Sequence, residues 1–218
     1  MACVHAFVKI LKNVATRYAP SRSLSFGEVH IFKTFQLLKE NRRISRILLC
    51  EELDLGEGAA RTLIKHMKMD GLVVTSNGGT RLTPRGKAIS LALFSAIPFE
   101  TTLPRCSVAL GKFNHAVLLK ELSYLIKTGI EQRDAAIKMD AIGATTLLYK
   151  DRKLVMPTKL NQDSLKKEPA IRKLLVEKLK PEEDDVIIIG SSDTNHRIAE
   201  IAAKNAALST LVSHEDHP

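Results

Sequence analysis

The feature that most constrains this chain is the order of local signals between residues 26 and 96. Val29, Phe32, Phe35 and Leu38 recur at helical spacing, which predicts a helix over 26–40 with Ser25 available as its cap. Ser45 opens a second helix over 45–53, and Asp54-Leu55-Gly56 makes a tight turn. A third helix over 57–70 stops at Gly71. Leu72-Val73-Val74-Thr75 and Thr80-Arg81-Leu82 read as paired strands around Ser76-Asn77-Gly78-Gly79, whose residues tolerate the positive φ of a hairpin turn. Thr83-Pro84 then caps a helix reaching about residue 95. Gly56 permits a sharp change of direction between crossing helices. Cys50 is small enough to let them approach, and reads as a core residue.

Charge is distributed in keeping with this pattern. Residues 1–100 hold 15 Lys and Arg against 8 Asp and Glu, and residues 101–218 hold 18 against 16, so most of the net charge of +9 lies in the first part. A basic excess confined to one region is expected where that region meets a polyphosphate. On the 57–70 helix, Ala60, Leu63, Ile64 and Met67 face inward, which leaves Arg61, Thr62, Lys65 and Lys68 outward and Glu57 and Gly58 at the exposed N-terminal end. A helix laid in the major groove reads base edges with such positions. The planar fork of Arg61 matches the two acceptors of guanine, whereas Lys65 and Lys68 suit phosphates. The tip Asn77-Gly78, flanked by Arg81, is placed to touch the backbone or minor groove, and Arg42, Arg43 and Arg46 to clamp phosphates.

The stretches Ser45-Arg46-Ile47-Leu48-Leu49-Cys50-Glu51-Glu52-Leu53, Gly56-Glu57-Gly58-Ala59-Ala60-Arg61-Thr62-Leu63, Asp70-Gly71-Leu72-Val73 and Leu82-Thr83-Pro84-Arg85-Gly86 together resemble winged helix-turn-helix regulators. With Ala19-Pro20-Ser21-Arg22 and Gly143-Ala144-Thr145-Thr146-Leu147 added, the chain is similar to archaeal proteins that join such a module to a C-terminal domain of unassigned function. The resemblance implies duplex-DNA binding and transcriptional regulation. Winged helices also serve as protein- or RNA-interaction modules, so fold alone does not decide between these roles.

An amphipathic helix over 4–18 precedes the module, with Val4, Phe7, Val8, Leu11, Val14, Ala15 and Tyr18 on one face and Pro20 as its stop. It is expected to pack on its own domain or on a second subunit. Ile97-Pro98 through Pro104 interrupts the pattern and reads as a boundary, giving domains 1–97 and 105–218. Beyond it, helices are predicted over 114–127, 132–139, 169–179 and 195–208, and strands over 144–149, 153–156 and 186–189. The expected class is α+β: a winged helix-turn-helix domain followed by a small α/β domain.

Two segments of the second domain are candidate ligand sites. Gly190-Ser191-Ser192-Asp193-Thr194 follows an apolar strand and precedes a helix, an arrangement that suits an anion; the alternative is a plain strand–helix turn with Asp193 or Thr194 as the cap. Arg133-Asp134 with Thr145 and Thr146 could hold a carboxylate or phosphate, or could simply order a helix start and a strand. No catalytic set is recognisable: His115 and His196 stand alone, and the acidic run Glu182-Glu183-Asp184-Asp185 reads as a solvated loop. His214 and His217 lie in the tail, and Cys3, Cys50 and Cys106 are too scattered for a disulfide framework or paired zinc ligands.

No apolar run approaches the ~20 residues of a bilayer span. Lys9 and Lys12 interrupt the only apolar stretch near the start, so no secretory signal is expected and the protein reads as cytoplasmic. The partners expected are duplex DNA, a second copy in a homodimer and a small-molecule effector, with no membrane, metal or cofactor and no enzymatic activity. The alternative is a small-molecule-binding or phosphate-handling enzyme whose winged helix is a protein- or RNA-interaction module.

Overall fold

A computed structural model describes residues 4–16 and 24–212 of the chain. Cys3, Tyr18, Pro20, the Ala19–Arg22 segment, His214 and His217, all singled out from the sequence, lie outside the described residues. The class is α+β, and the chain divides into two compact units, one up to Phe94 and one from Ser95.

The first unit runs α1 (Val4–Thr16), α2 (Glu28–Asn41), α3 (Arg46–Leu53), α4 (Glu57–Met69), β1 (Val73–Ser76), β2 (Gly79–Leu82) and α5 (Pro84–Ala96), the last crossing into the second unit. Its core is aliphatic and phenylalanine-rich: Leu11, Val14, Phe32, Phe35, Leu49, Leu53, Leu63, Met67 and Leu93 are all buried. Ser45 caps α3 by accepting from the Leu48 amide at 3.1 Å. Asp54 takes up the left-handed conformation that ends α3 (φ 54°). Ser25 is not the cap of α2. That role falls to Gly27, whose amide donates to His30 Nδ1 at 3.0 Å.

Leu82-Thr83-Pro84-Arg85-Gly86 has a clear physical basis. Thr83 Oγ1 accepts from the Gly86 amide at 2.9 Å, capping α5, and donates to Gly71 O at 2.6 Å. Gly86 is glycine because a Cβ there would sit 2.0 Å from Leu72 O. The hairpin pairs Val73 with Leu82 and Ser76 with Gly79. Beside β2, Ile44 forms a mutual backbone bridge with Thr80, with N–O distances of 3.0 and 2.9 Å. This third position brings the chain so close to the hairpin that a Cβ on Gly79 (φ 107°) would lie 2.7 Å from Ile44 O.

The second unit is built on a six-stranded sheet of order β3-β4-β8-β5-β6-β7, with β3 (Glu100–Leu103), β4 (Phe113–Leu119), β5 (Gly143–Lys150), β6 (Lys153–Met156), β7 (Lys159–Asp163) and β8 (Val186–Ser192). Every pairing is antiparallel, which corrects the expected α/β arrangement. Helices α6 (Ile130–Ile137) and α8 (His196–Val212) pack on one face and α7 (Pro169–Leu179) on the other.

The segment over 98–104, read from the sequence as a boundary, contains edge strand β3, with Pro98 and Pro104 just outside its ends. Two further expectations are corrected here. Residues 114–127 are not a helix but most of β4 followed by a 3-10 turn at Ser123–Leu125. The apolar strand does not end at residue 189; β8 continues through Gly190, Ser191 and Ser192.

Candidate functional site

The basic residues of the first unit gather around the N-terminus of α4 and the hairpin. On α4, Ala60, Leu63 and Met67 are buried, and so is His66, which bonds Val14 O through Nδ1 at 2.9 Å. Ile64 is only half-buried and lines a groove instead. Glu57, Arg61, Lys65 and Lys68 fall on one exposed stripe at helical spacing. Gly58 is exposed beside them, and Thr62 Oγ1 bonds back to Gly58 O at 2.9 Å.

Glu57 is the hub of this surface. Its Oε1 accepts from Arg61 Nη2 at 3.0 Å and from Arg46 Nη1 at 3.1 Å. Arg61, and with it Arg46, holds the Glu57 carboxyl below the ordinary range. Glu57 thus orients two arginines from two helices on an exposed face. The Arg61 pairing is legible as an i,i+4 spacing. The Arg46 pairing is not, because it depends on how α3 meets α4.

A groove of about 400 Å³ opens between the start of α3, Ile64 of α4 and the hairpin residues Thr75–Thr80. Arg46 borders it. Arg43 lies against the hairpin tip, its Nη1 2.7 Å from where a Cβ on Gly78 would sit. Arg42 ends α2 in an exposed position with φ 54°, and Asn77 and Arg81 are exposed on the hairpin. Arg46, Asn77 and Gly78 line this concave surface, Arg43 lies against Gly78, and Glu57 links Arg61 to Arg46, with Lys65 and Lys68 farther along α4. Cys50 is half-buried on α3 rather than in the core.

In the second unit, the Gly190–Thr194 segment is engaged internally. A Cβ on Gly190 would sit 2.4 Å from Ala199 O, so this glycine lets α8 rest on the sheet. Ser191 Oγ donates to Asn114 Oδ1 at 2.8 Å, and Ser192 Oγ accepts from the Thr194 amide at 3.1 Å. Asp193 Oδ1 accepts from the Lys112 amide at 2.9 Å. The α8 side-chain cap is Asn195, which bonds the Ile198 amide at 2.9 Å, not Asp193 or Thr194.

The acidic run is not simply solvated. Asp185 is fully buried, accepting from Lys120 Nζ and from the amides of Glu121 and Glu182. Asp184 bonds Ser123 Oγ at 2.6 Å.

His115 and His196 do not stand alone. Their rings meet edge to face with centroids 5.4 Å apart, next to the buried Lys204, whose Nζ reaches Glu100 Oε2 at 3.0 Å and Glu200 Oε1 at 2.5 Å. Burial opposes ionisation of Glu100, but His115 and Lys204 outweigh it and bring the carboxyl down to about 2. The i,i+4,i+8 spacing of His196, Glu200 and Lys204 could have exposed this cluster; its partners on β3 and β4 could not be read without the fold. Among the described residues no group of three or more His, Cys, Asp or Glu is arranged to hold a metal. Burial pushes the Cys106 thiol up, which disfavours a reactive thiolate. Among the described residues no helix is long and apolar enough to cross a membrane.

Arg133, Thr145 and Thr146 do come together, at a cavity of about 230 Å³ beside the start of α6. Arg133 pairs with Asp134 Oδ1 through Nε at 3.1 Å and Nη2 at 2.9 Å.

No curated protein matches the chain. A hypothetical protein from Pyrococcus horikoshii OT3 is similar in structure, with a TM-score of 0.67 and 26% identity over 88% of this chain and 95% of that one. Residues 110–211 match the model of a domain of unknown function, DUF4443, which places that domain in the second unit.

Proposed function

We propose that the first unit is a winged helix-turn-helix that binds duplex DNA, and that the chain regulates transcription, acting as a homodimer in the cytoplasm. In this reading α3 and α4 form the helix-turn-helix, with α4 entering the major groove. The hairpin is the wing, with Ile44 as the third, bridging position of its sheet. The observation that carries the proposal is the groove between α4 and the hairpin, lined by Arg46, with Arg43 against its hairpin tip and Arg61 tied to Arg46 through Glu57.

Each component has a role that follows from its chemistry. Glu57 holds Arg61 extended before DNA arrives, lowering the ordering cost of a two-point contact to guanine. Arg42, Arg43, Arg46, Lys65, Lys68 and Arg81 supply phosphate contacts that fix register without reading sequence. Two copies would read two half-sites related by two-fold symmetry.

The test is selection of preferred sites from random duplex DNA, with wild type beside Arg61→Ala. The reading predicts a palindromic consensus that Arg61→Ala degrades at one position per half-site. Preferential capture of RNA in a duplex competition, or a consensus indifferent to Arg61→Ala, refutes it.

A further inference from the structure

We propose that the second unit binds a small oxyanion, the phosphate or carboxylate group of a small metabolite, in the cavity at the N-terminus of α6. The cavity holds about 230 Å³, below the ~300–1,000 Å³ of sites for drug-sized ligands, so it fits a compact group. Arg133 is the sole charged side chain among its lining residues; Thr128, Thr145, Thr146 and Thr158 add hydroxyls, and Met156 and Pro157 an apolar wall. Glu131, the acidic residue of the same helical turn, does not line it.

Three independent features converge on an anion. The first is the helix end. The N-cap of α6 is Gly129 (φ 83°), which brings no side chain to the opening amides; Gly129 and Ile130 line the cavity, and the Ile130 amide makes only a long bond to Thr128 Oγ1 at 3.3 Å. The second is Thr146. It is 95% buried on β5, its Oγ1 has no hydrogen-bond partner, and that oxygen lies 3.3 Å from where a Cβ on Gly129 would sit. A buried hydroxyl left unpaired beside a helix N-terminus is a donor in need of an acceptor, which an oxyanion would supply. The third is Arg133, whose stem lies across Gly143, with Cγ 3.2 Å from where a Cβ there would sit. Its guanidinium is held by a single exposed oxygen of Asp134, a partner that an incoming oxyanion can replace.

The site is open because the sheet leaves it open. On one side β5 pairs with β8 from Gly143 to Leu148, but β6 joins its other side only from Leu148 to Lys150. The edge beside Thr145 and Thr146 therefore faces the cavity instead of a neighbouring strand. Nothing in this argument depends on DNA binding by the first unit, so either proposal can fail without the other.

The test is calorimetric titration of the full chain, without DNA, with inorganic phosphate and separately with malonate, both at fixed ionic strength against chloride. At least one should bind saturably with a Kd of about 1 mM or tighter. Arg133→Gln and Thr146→Val should each weaken that binding about tenfold, and Asp134→Asn should strengthen it severalfold. Phosphate binding alone identifies phosphorylated ligands, and malonate binding alone identifies carboxylates. No saturable binding of either ion, or binding that Arg133→Gln leaves unchanged, overturns the proposal. Arg133 is exposed, so that variant should fold even if Thr146→Val does not.

Discussion

Gly86→Ala is predicted to destabilise the first unit severely, although alanine is the better helix former. The new Cβ would lie 2.0 Å from Leu72 O, a full ångström inside the closest approach real Cβ atoms show. That oxygen cannot simply move aside, because it accepts from the Thr83 amide at 3.0 Å, and Thr83 is itself tied to Gly71 O and to the Gly86 amide. Separating helix from strand weakens the Thr83–Leu72 bond and the Thr83 cap on Gly86, at about 1 kcal/mol each. Overpacking adds about 1–3 kcal/mol. Relief of glycine's backbone entropy returns only about 0.5–1 kcal/mol. The net loss is about 3 kcal/mol, a large fraction of the ~5–15 kcal/mol that holds a typical domain together. Gly58→Ala is the matched control: a Cβ there meets nothing within 4 Å on a helix, so it should gain about 0.5–1 kcal/mol. Chemical denaturation of both variants beside wild type reads the difference. A loss below about 1 kcal/mol for Gly86→Ala, or equal effects of the two substitutions, would refute the packing argument.

Three other outcomes follow from the same contacts. Burial, and then the charge of Lys33, lowers the His30 pKa from 6.5 to about 4, so its stabilising contribution is complete above pH 6.5 and is lost as pH falls through 4. The loss amounts to at most about 3 kcal/mol. Denaturation at pH 7 and pH 4.5 should show it, and His30→Gln should flatten that dependence; an unchanged slope contradicts the assignment. Lys204→Met leaves Glu100 and Glu200 facing each other without their shared cation and should cost about 3–5 kcal/mol at pH 7, less at pH 5 as a carboxyl takes up a proton; a neutral effect at pH 7 would sink this reading. Glu57→Gln should raise affinity for random duplex DNA while narrowing the preference for the selected site, because the two arginines gain freedom and lose an opposing charge; equal change on both DNAs would show that Glu57 does not position Arg61.

The helices and hairpin of the first unit were legible because each is punctuated locally: Ser45 as a cap, Asp54 and Gly71 in left-handed conformations, Pro84 and Gly86 at the start of α5. The second unit was less legible for one physical reason. Strands β4 and β8 are buried on both faces, so they carry no alternation, and Ala116-Val117-Leu118-Leu119 suits a helix as well as a strand. Gly190-Ser191-Ser192 suits an anion in sequence because small residues serve both close ligands and close helices; at Gly190 it is the backbone of α8 that makes the close approach. The grouping of Arg133 with Thr145 and Thr146 was visible as a possibility, but the role of Gly129 was not, since it depends on how α6 meets β5. Arg46, Glu57 and Arg61 are each legible as positions for DNA contact, but the carboxylate's bridging of the two arginines is not, because it depends on how α3 meets α4.

The most direct test of the DNA-binding claim is the salt dependence of duplex binding, comparing wild type with the double variant Arg43→Ala/Arg81→Ala. If the six phosphate-facing cations each displace a counterion, log K should fall against log salt with a slope of about −5 per bound copy, and the variant should be shallower by about 2. Absence of binding at low salt, or a slope that the double variant leaves unchanged, would contradict the account.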